Sequence, residues 1–404
     1  MSLSKNYKGY QSFQYLEKDK DYKYFELADE LNRVPSSKVD LNEDQEKLVT
    51  KILKDHILIS VHEHLGTFPA DVMQTPEYVK HGRMATAFQG LSHSHWDCVF
   101  DNLMDGICQI HSKGGWKWSE VIHDLGMRLC DISHQDFVIH CKGVDDIIRA
   151  HKEGKIAWVA VMEGCMMIEN ELDRLDLLYG FGVRSLGITY SESNALGSGL
   201  KEDRDGGLTK FGKRAVERMN KLGILIDCSH TGDQTALDTI EHSSKPIILS
   251  HIGAKALWDT NRMAPDDVLK ACADQGGVIG IEAAPHTTLT PNHRKHNLDA
   301  VMEHFEYIKD LVGIDHVTMG PDTLYGDHVG LHKAYTAALS LKESKGKGKL
   351  GMEYDPVPFV DGLENPTEGS YNIIRWLVKH GYSEQDIAKV MGKNTLRLLN
   401  EVWY

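Results

Sequence analysis

Several features that would restrict the function of this chain are missing from its sequence. No run of about 18 apolar residues occurs, so no helix long enough to span a bilayer is expected. There is no basic excess either, because the chain has 45 Lys and Arg but 59 Asp and Glu, which gives a formal net charge of −14. Proteins that bind nucleic acid or anionic membranes usually carry the opposite charge. We therefore expect neither partner, and a small molecule is the expected substrate.

A cysteine framework is also missing. The seven cysteines are scattered and include no Cys-x-x-Cys pair: Cys98, Cys108, Cys130, Cys141, Cys165, Cys228 and Cys272. This usage is typical of reduced thiols and excludes a thiolate zinc site of the usual spacing. The first 33 residues are polar and contain no apolar signal region. We therefore expect a cytoplasmic protein. Histidine, by contrast, is abundant, with 22 residues.

Eight short apolar runs alternate with segments of helical periodicity. The runs cover residues 57–61, 85–91, 156–162, 183–189, 224–229, 247–250, 277–281 and 316–320. Such alternation is typical of βα units with a parallel sheet, and eight units predict an α/β fold of the TIM type, a (β/α)8 barrel. Residues 137–140 are an alternative to the second run.

The domain organisation follows from this pattern. Residues 1–55 are predicted to form a polar N-terminal extension with a helix from Asn42 to Lys54. Residues 56–404 are predicted to form the barrel, including C-terminal helices. Further helical insertions are expected between the first and third strands, in residues 66–135. The segment 341–350, rich in lysine and glycine, is expected to be an exposed loop.

Residues with metal-binding or acid–base chemistry follow most of these runs. They are His62, His64, Glu163, Tyr190, His230, His251 and Asp322. In an α/β barrel the C-terminal ends of the strands meet on one face, which carries the active site. Each residue alone has a structural alternative, such as a hydrogen-bonded histidine or a helix cap, but together they predict a metal centre. Nitrogen and oxygen ligands without thiolate suit Zn²⁺, with Mn²⁺, Fe²⁺ or Co²⁺ as alternatives.

With these residues in place, the chain resembles the membrane (renal) dipeptidase family of metal-dependent hydrolases over residues 56–400. The motifs that carry the resemblance are Met162-Glu163-Gly164, Gly207-Leu-Thr-Lys-Phe-Gly212, Ile226-Asp-Cys-Ser-His230, Ile248-Leu-Ser-His251, Asn261-Arg262 and Gly320-Pro-Asp322. The resemblance implies a TIM-like barrel with two zinc ions and, by analogy, a homodimer.

The resemblance also implies roles for individual residues. His62 and His64 would bind the first metal and His230 and His251 the second, with Glu163 bridging the two. Asp322 would be the proton shuttle beside a bridging hydroxide. Arg262 would hold the terminal carboxylate of the substrate, which suits the bidentate geometry of a guanidinium.

The sequence departs from the family pattern at two of these positions. His64 stands where the family usually has aspartate, which removes one negative charge from the first site. Tyr190 stands where a histidine usually polarises the scissile carbonyl; a tyrosine can donate one hydrogen bond but carries no positive charge. His93 or His95 could supply the missing imidazole or be structural. Glu282, after the seventh run, could line the pocket or pair with a nearby Arg or Lys.

The leading functional hypothesis is a metal-dependent hydrolase of a small-molecule amide bond, most simply a dipeptidase. An N-acyl amino acid, a cyclic amide or a lactone is an alternative substrate because of the changes at 64 and 190. A member that only binds a ligand, or does non-hydrolytic chemistry, is a second alternative. A phosphotriesterase-like hydrolase is a third, although Glu163 stands where that group commonly has a modified lysine.

Overall fold

A computed structural model describes residues 5–103, 116–339 and 353–404 of the chain. The segment 341–350 and Cys108 lie outside the described residues. The strands are β1 (Ile59–Thr67), β2 (Ala85–Thr86), β3 (Cys98–Asn102), β4 (Val138–His140), β5 (Ile156–Met162), β6 (Val183–Gly187), β7 (Leu225–Asp227), β8 (Ile248–Ile252), β9 (Val278–Ile281), β10 (Val317–Met319) and β11 (Leu324–Tyr325).

Helices connect and cover these strands. They are α1 (Glu43–Asp55), α2 (Thr75–His81), α3 (Phe88–His93), α4 (Trp118–Ser133), α5 (Val144–Glu153), α6 (Asp173–Gly180), α7 (Lys210–Leu222), α8 (Asp233–His242), α9 (Asp266–Asp274), α10 (Leu298–Val312), α11 (His328–Leu339), α12 (Pro366–Lys379), α13 (Glu384–Ala388) and α14 (Asn394–Val402). The sequence analysis placed α1 within one residue of these bounds. A π-helical turn at Lys389–Lys393 joins α13 to α14.

Eight strands form the curled parallel sheet in the order β10-β9-β8-β7-β6-β5-β3-β1 within the described residues. The chain after β10 then pairs with β1, where the Asp322 amide donates to the His62 carbonyl at 3.1 Å and the His64 amide donates to the Thr323 carbonyl at 2.9 Å. The two ends of the sheet therefore meet at β1. The predicted α/β barrel with helical insertions is confirmed.

Successive side chains along each strand point alternately to an inner and to an outer apolar layer. Ile59 and Val61 of β1 cluster with Phe100 of β3 and with Val159 and Val161 of β5. Residues of the opposite strand face, including Leu58, Val99 and Trp158, join the larger cluster that contains helix residues. Burial on both faces explains why these strands read as continuous apolar runs in the sequence.

The prediction of a barrel strand at 85–91 is wrong. Only Ala85 and Thr86 are extended, as the short antiparallel partner β2 of β1, and a helix begins at Phe88. Tertiary contacts explain the helix, because the Gly90 amide donates to Glu30 and the ring of Tyr325 packs against Gly90. The second barrel strand is β3. The alternative at 137–140 corresponds to β4, which is not a barrel strand either. Among the described residues β4 pairs with β5 and lies outside the main strand order.

The first strand also differs from its expected bounds. β1 continues to Thr67, so His62 and His64 lie within the strand and not after it. The extension is stabilised by pairing with β11 and β2. The register of β1 against β3 shifts between Ser60 and Glu63. In a regular strand, His62 and His64 would lie on the face opposite to the inward-facing Ile59 and Val61. The irregularity instead turns both histidine side chains toward the barrel interior.

Candidate metal centre

The sequence-predicted ligands converge at the C-terminal end of the barrel. Glu163 follows β5 directly, and its two carboxylate oxygens face different histidines. Oε1 lies 3.7 Å from Nε2 of His62 and 3.8 Å from Nε2 of His64. Oε2 lies 2.8 Å from Nε2 of His230 and 3.7 Å from Nε2 of His251. One carboxylate therefore stands between two pairs of imidazoles, which is the placement that a bridging ligand requires.

The second histidine pair is compact. Nε2 of His230 and Nε2 of His251 are 3.0 Å apart. With Oε2 of Glu163, these nitrogens form a set of three donor atoms from the ends of β5, β7 and β8. Such a set of imidazole and carboxylate donors suits a divalent cation such as zinc.

The buried state of the ligands fits a cation. Burial lowers the pKa of His62 to about 3, and burial also holds the pKa of His251 well below its ordinary value. Both imidazoles are therefore neutral, as metal binding requires. Nε2 of His62 is buried and has no hydrogen-bond partner among the described residues. Burial raises the pKa of Glu163, so a cation between these groups would favour its charged form.

Asp322 lies against the first histidine pair. Its Oδ1 is 3.0 Å from Nε2 of His64 and 3.7 Å from Nε2 of His62. Burial opposes the ionisation of Asp322, but the hydrogen bond from His64 outweighs it and holds the pKa of Asp322 well below its usual range. The backbone of Asp322 has φ = 57°, a left-handed conformation that Asp tolerates better than most residues. This conformation follows Gly320-Pro321 and directs the carboxylate into the centre.

A second layer of hydrogen bonds orients the histidines. Ser250 Oγ lies 2.7 Å from Nδ1 of His251 and donates to Oδ2 of Asp227 at 2.5 Å. Asp227 is buried and also accepts from the hydroxyl of Ser229. Such partners fix the ring orientation and tautomer of a ligating histidine. Sequence analysis missed Asp227, although a carboxylate within an apolar strand was a signal for a buried partner.

A glycine allows the bridging residue to approach the next strand. A Cβ atom on Gly187, at the end of β6, would lie 1.9 Å from the carbonyl oxygen of Glu163. Any side chain at this position would displace the backbone that carries the bridging carboxylate. Gly187 is therefore part of the centre although it offers no ligand.

Tyr190 lies over the second histidine pair. Its ring stacks on His230 with centroids 4.4 Å apart and contacts Trp116 at 4.9 Å. Burial and the nearby carboxylates raise the pKa of Tyr190 well above its ordinary value, so the phenol stays protonated. Tyr190 can thus donate a hydrogen bond beside the candidate metal ligands.

Arg262 lies next to the candidate ligand His251 and contacts protein groups. Its Nη1 donates to the Ser229 carbonyl at 3.1 Å and its Nη2 to the His251 carbonyl at 2.9 Å. Nη2 also lies 3.1 Å from Oε1 of Glu282, and both side chains are almost fully buried. Of the two interpretations of Glu282, the structure has the ion pair with an arginine.

Two further polar residues in the strands that lead to the centre were missed. Glu63, between the two β1 histidines, accepts from the amide and hydroxyl of Thr323 at 2.9 and 2.7 Å and so fixes the residue next to Asp322. Asn102 ends β3 opposite Val161, and its amide group is buried without a partner among the described residues. A Glu between two histidines and a polar residue ending an apolar strand were the available signals.

The alternative source of an imidazole is not supported by the fold. His95 precedes β3, at the N-terminal end of the barrel, where its ring contacts Tyr371 with centroids 5.1 Å apart. Burial lowers the pKa of His95 to about 4. His93 ends α3 in the same region. Both histidines therefore lie away from the metal centre, where His95 has a structural contact with Tyr371.

Curated proteins are similar to this chain in sequence. A Klebsiella pneumoniae protein described as "uncharacterized protein in pqqA 5'region" is 27% identical over 271 residues, 65% of this chain and 88% of that protein. Dipeptidase tcpJ of Claviceps purpurea is 26% identical over 72% of this chain, and dipeptidase aclJ of Aspergillus oryzae is 27% identical over 70%. The matches span 64% and 62% of these two fungal proteins, less than two thirds of their length.

Solved structures share the fold. An amidohydrolase from Pseudomonas aeruginosa superposes with a TM-score of 0.70 at 23% identity, covering 88% of this chain and 99% of that one. A metallopeptidase from Rhodobacter sphaeroides, solved with a phosphinate mimic of L-Ala-D-Ala, gives a TM-score of 0.65 at 20% identity over 86% of this chain and all of that one.

Among the described residues, no helix is long and apolar enough to cross a membrane. Residues 47–338 and 348–403 match the membrane dipeptidase family, peptidase family M19, and the chain belongs to this family of metallopeptidases.

Proposed function

We propose that this protein is a dipeptidase-like hydrolase that cleaves an amide bond in a small molecule with two divalent cations, most simply Zn²⁺. The observation that carries the proposal is the placement of Glu163, whose two oxygens each face a separate histidine pair. His62 and His64 would hold one cation and His230 and His251 the other. Cations bound there would supply an activated water and a Lewis acid for the scissile carbonyl.

The protein's own residues would complete the reaction. Asp322, beside the first histidine pair, can accept a proton from the attacking water and deliver it to the leaving nitrogen. Its Oδ1 lies 3.7 Å from Nε2 of His62, next to the candidate ligands, and the carboxylate is the form that accepts the proton. Tyr190, a neutral phenol above His230, can donate a hydrogen bond to the oxyanion that develops from the carbonyl. Ser250 and Asp227 would hold His251 in a single orientation.

The side chains of His64 and Asp322 are the more open part of the centre. They are 13% and 14% exposed, whereas those of His62 and Glu163 are 2% and 6% exposed. Substrate would therefore approach from the side of the proton-transfer group, with Glu163 and His62 beneath it. This arrangement places the proton acceptor between solvent and the buried ligands.

The test is hydrolysis by the metal-loaded protein. A panel of L,L and L,D dipeptides is incubated with protein loaded with Zn²⁺ or Mn²⁺, and release of free amine is followed. We expect cleavage that disappears after chelation and returns on adding the metal. Glu163→Gln, which loses the bridging charge, is the matched negative variant. A fully loaded protein that cleaves neither these dipeptides nor other small amides would overturn the proposal.

A further inference from the structure

A buried aspartate outside the candidate ligand set contacts the strand that carries the first histidine pair. Asp101 lies in β3, opposite Glu63 of β1, and its side chain is 0% exposed. Its Oδ1 accepts from the backbone amide of Leu65 at 2.9 Å, and its Oδ2 accepts from Nε1 of Trp158 at 2.7 Å. One carboxylate therefore connects β1 to β5 across β3.

The Leu65 amide belongs to the peptide bond that directly follows His64. Because a peptide unit is planar, a hydrogen bond to this amide fixes the plane that contains the carbonyl group and Cα of His64. The Leu65 carbonyl accepts from the Ala87 amide at 3.0 Å, and the His64 amide donates to the Thr323 carbonyl at 2.9 Å. Of these three bonds, the one to Asp101 is made by a side chain, so a single substitution can remove it.

The contact lies just after the irregular part of β1. The register of β1 against β3 shifts between Ser60 and Glu63, and this shift turns His64 toward the interior of the barrel. Irregular positions of this kind re-aim side chains next to active sites. Asp101 supplies an acceptor two residues beyond the shift and thereby stabilises the register that His64 requires.

A buried arginine supports the charge of Asp101. Nη1 of Arg128, in α4, lies 3.5 Å from Oδ2 of Asp101, and the side chain of Arg128 is 4% exposed. The same Nη1 donates to Oγ1 of Thr86 at 2.9 Å, and Thr86 lies in β2, which pairs with β1. A buried carboxylate requires partners of this kind. The pair thus contacts β1 through Leu65 and reaches its neighbouring strand through Thr86.

We propose that Asp101 is a positioning residue for the first metal site, where its carboxylate acts through the Leu65 amide to hold His64 in the orientation that binds the cation. The inference rests on the proposed two-cation centre and deepens it. Partners that orient a ligand commonly change metal affinity by about 10- to 100-fold. Asp101 should therefore affect the site that contains His64 and spare the site formed by His230 and His251.

The experiment measures the two Zn²⁺ dissociation constants by competition with a metal indicator. Asp101→Asn keeps the side-chain volume. Because Arg128 and Trp158 both donate to the Oδ2 position, the amide oxygen takes that position and the NH2 group faces Leu65. We expect the dissociation constant of the first site to rise about tenfold or more and that of the second to change less than about threefold.

Asp131→Asn is the matched control. Asp131 is an equally buried carboxylate on α4 that accepts from the hydroxyl of Tyr10 at 2.8 Å and from the Phe13 amide at 2.9 Å, and it makes no bond to β1 among the described residues. Both dissociation constants should stay at their wild-type values in this control. Wild-type constants in Asp101→Asn, or the same loss in both variants, would overturn the inference.

A double substitution separates positioning from a general loss of stability. His64→Ala identifies the dissociation constant of the first site. In this background Asp101 has no imidazole to orient, so adding Asp101→Asn should change neither constant further. A further loss as large as in wild type would show that Asp101 does not act through His64.

A measurement on wild type covers the case in which Asp101→Asn does not fold. Coupling of binding free energies is reciprocal, so a cation bound by His64 should stabilise the bonds that Asp101 makes. We expect hydrogen exchange of the Trp158 indole N–H, followed by NMR, to slow about tenfold or more as the first site fills. Unchanged exchange would contradict the role of Asp101. The expected exchange and affinities in a protein that cleaves no amide would count against the hydrolase function alone.

Discussion

The imidazole of His64 lies 3.0 Å from the carboxylate of Asp322, so these two residues form a hydrogen-bonded pair at the open side of the centre. His64 is also a candidate ligand, 3.8 Å from Glu163. The same nitrogen cannot bind a cation and donate to Asp322 at once. The replacement of the family's usual aspartate therefore couples the first metal site to the proton-transfer residue.

This coupling predicts the effect of restoring the acidic ligand. His64→Asp adds a negative charge at the first site and should raise affinity for the more weakly held cation by about tenfold or more, since a unit charge at 4 Å contributes up to roughly 4 kcal/mol near a protein surface. Competitive titration with a metal indicator measures the two dissociation constants. His64→Asn, which adds no charge, is the control. Equal affinities in wild type and His64→Asp would exclude a weakened first site.

Most of the barrel, and the residues that meet at the candidate metal centre, could be predicted from the sequence. Strands buried on both faces, such as Ile156–Met162, give continuous apolar runs, and a metal ligand after such a run has few structural explanations. The candidate ligands Glu163 and His230, and the candidate proton shuttle Asp322, were found in this way. Their convergence follows from the parallel topology, in which the C-terminal ends of all strands share one face.

The features that could not be predicted depend on tertiary contacts. The second barrel strand, Cys98–Asn102, is short and contains Asp and Asn, whereas 85–91 became helical through contacts with Glu30 and Tyr325. The register shift in β1 that turns both histidines inward has no local sequence signal. The sequence likewise did not determine that Arg262 pairs with Glu282, because this contact depends on the register between β8 and β9.

Asp322 is predicted to be required for turnover but not for metal binding. Asp322→Asn should keep the left-handed backbone, which Asn also tolerates, and lose the proton-accepting group. We expect the rate to fall roughly 100- to 10,000-fold, the usual contribution of general acid–base catalysis. Metal content, measured on the same preparation, should be unchanged. Wild-type turnover by the variant would remove Asp322 from the mechanism.

Asn102 is predicted to lower the stability of the fold while supporting activity. Its buried amide has no partner among the described residues, which costs about 1–3 kcal/mol of stability. Asn102→Leu should therefore raise the free energy of unfolding by about 1–2 kcal/mol and lower activity on the order of tenfold. Urea unfolding and kcat/KM are measured on both proteins. Asn400→Leu, an exposed change on α14, is the control. A destabilised Asn102→Leu would show that the amide has a structural partner.

His304 is predicted to make the fold sensitive to acid. Its Nδ1 accepts from the Ala254 amide and its Nε2 donates to the Leu289 carbonyl, so the neutral ring is satisfied. Burial lowers its pKa to about 4. Because this lies below the unfolded value, the stabilisation is complete above about pH 6.5 and is lost as the pH falls toward 4, by about 2–3 kcal/mol near pH 4.5.

The measurement is the difference in free energy of unfolding between about pH 7.5 and pH 4.5 for wild type and His304→Gln. The glutamine variant cannot be protonated, so its difference should be smaller than that of wild type by about 2–3 kcal/mol. Parallel pH dependence in the two proteins would show that folding does not lower the pKa of His304.

The bridging position of Glu163 is tested most directly by the metal content of the purified protein. Elemental analysis after dialysis against buffer with trace divalent metals gives the number of ions per chain. We expect two ions per chain in wild type and clearly fewer in Glu163→Gln, because one carboxylate faces both histidine pairs. A wild-type protein that binds one ion, or none, would contradict a two-cation centre.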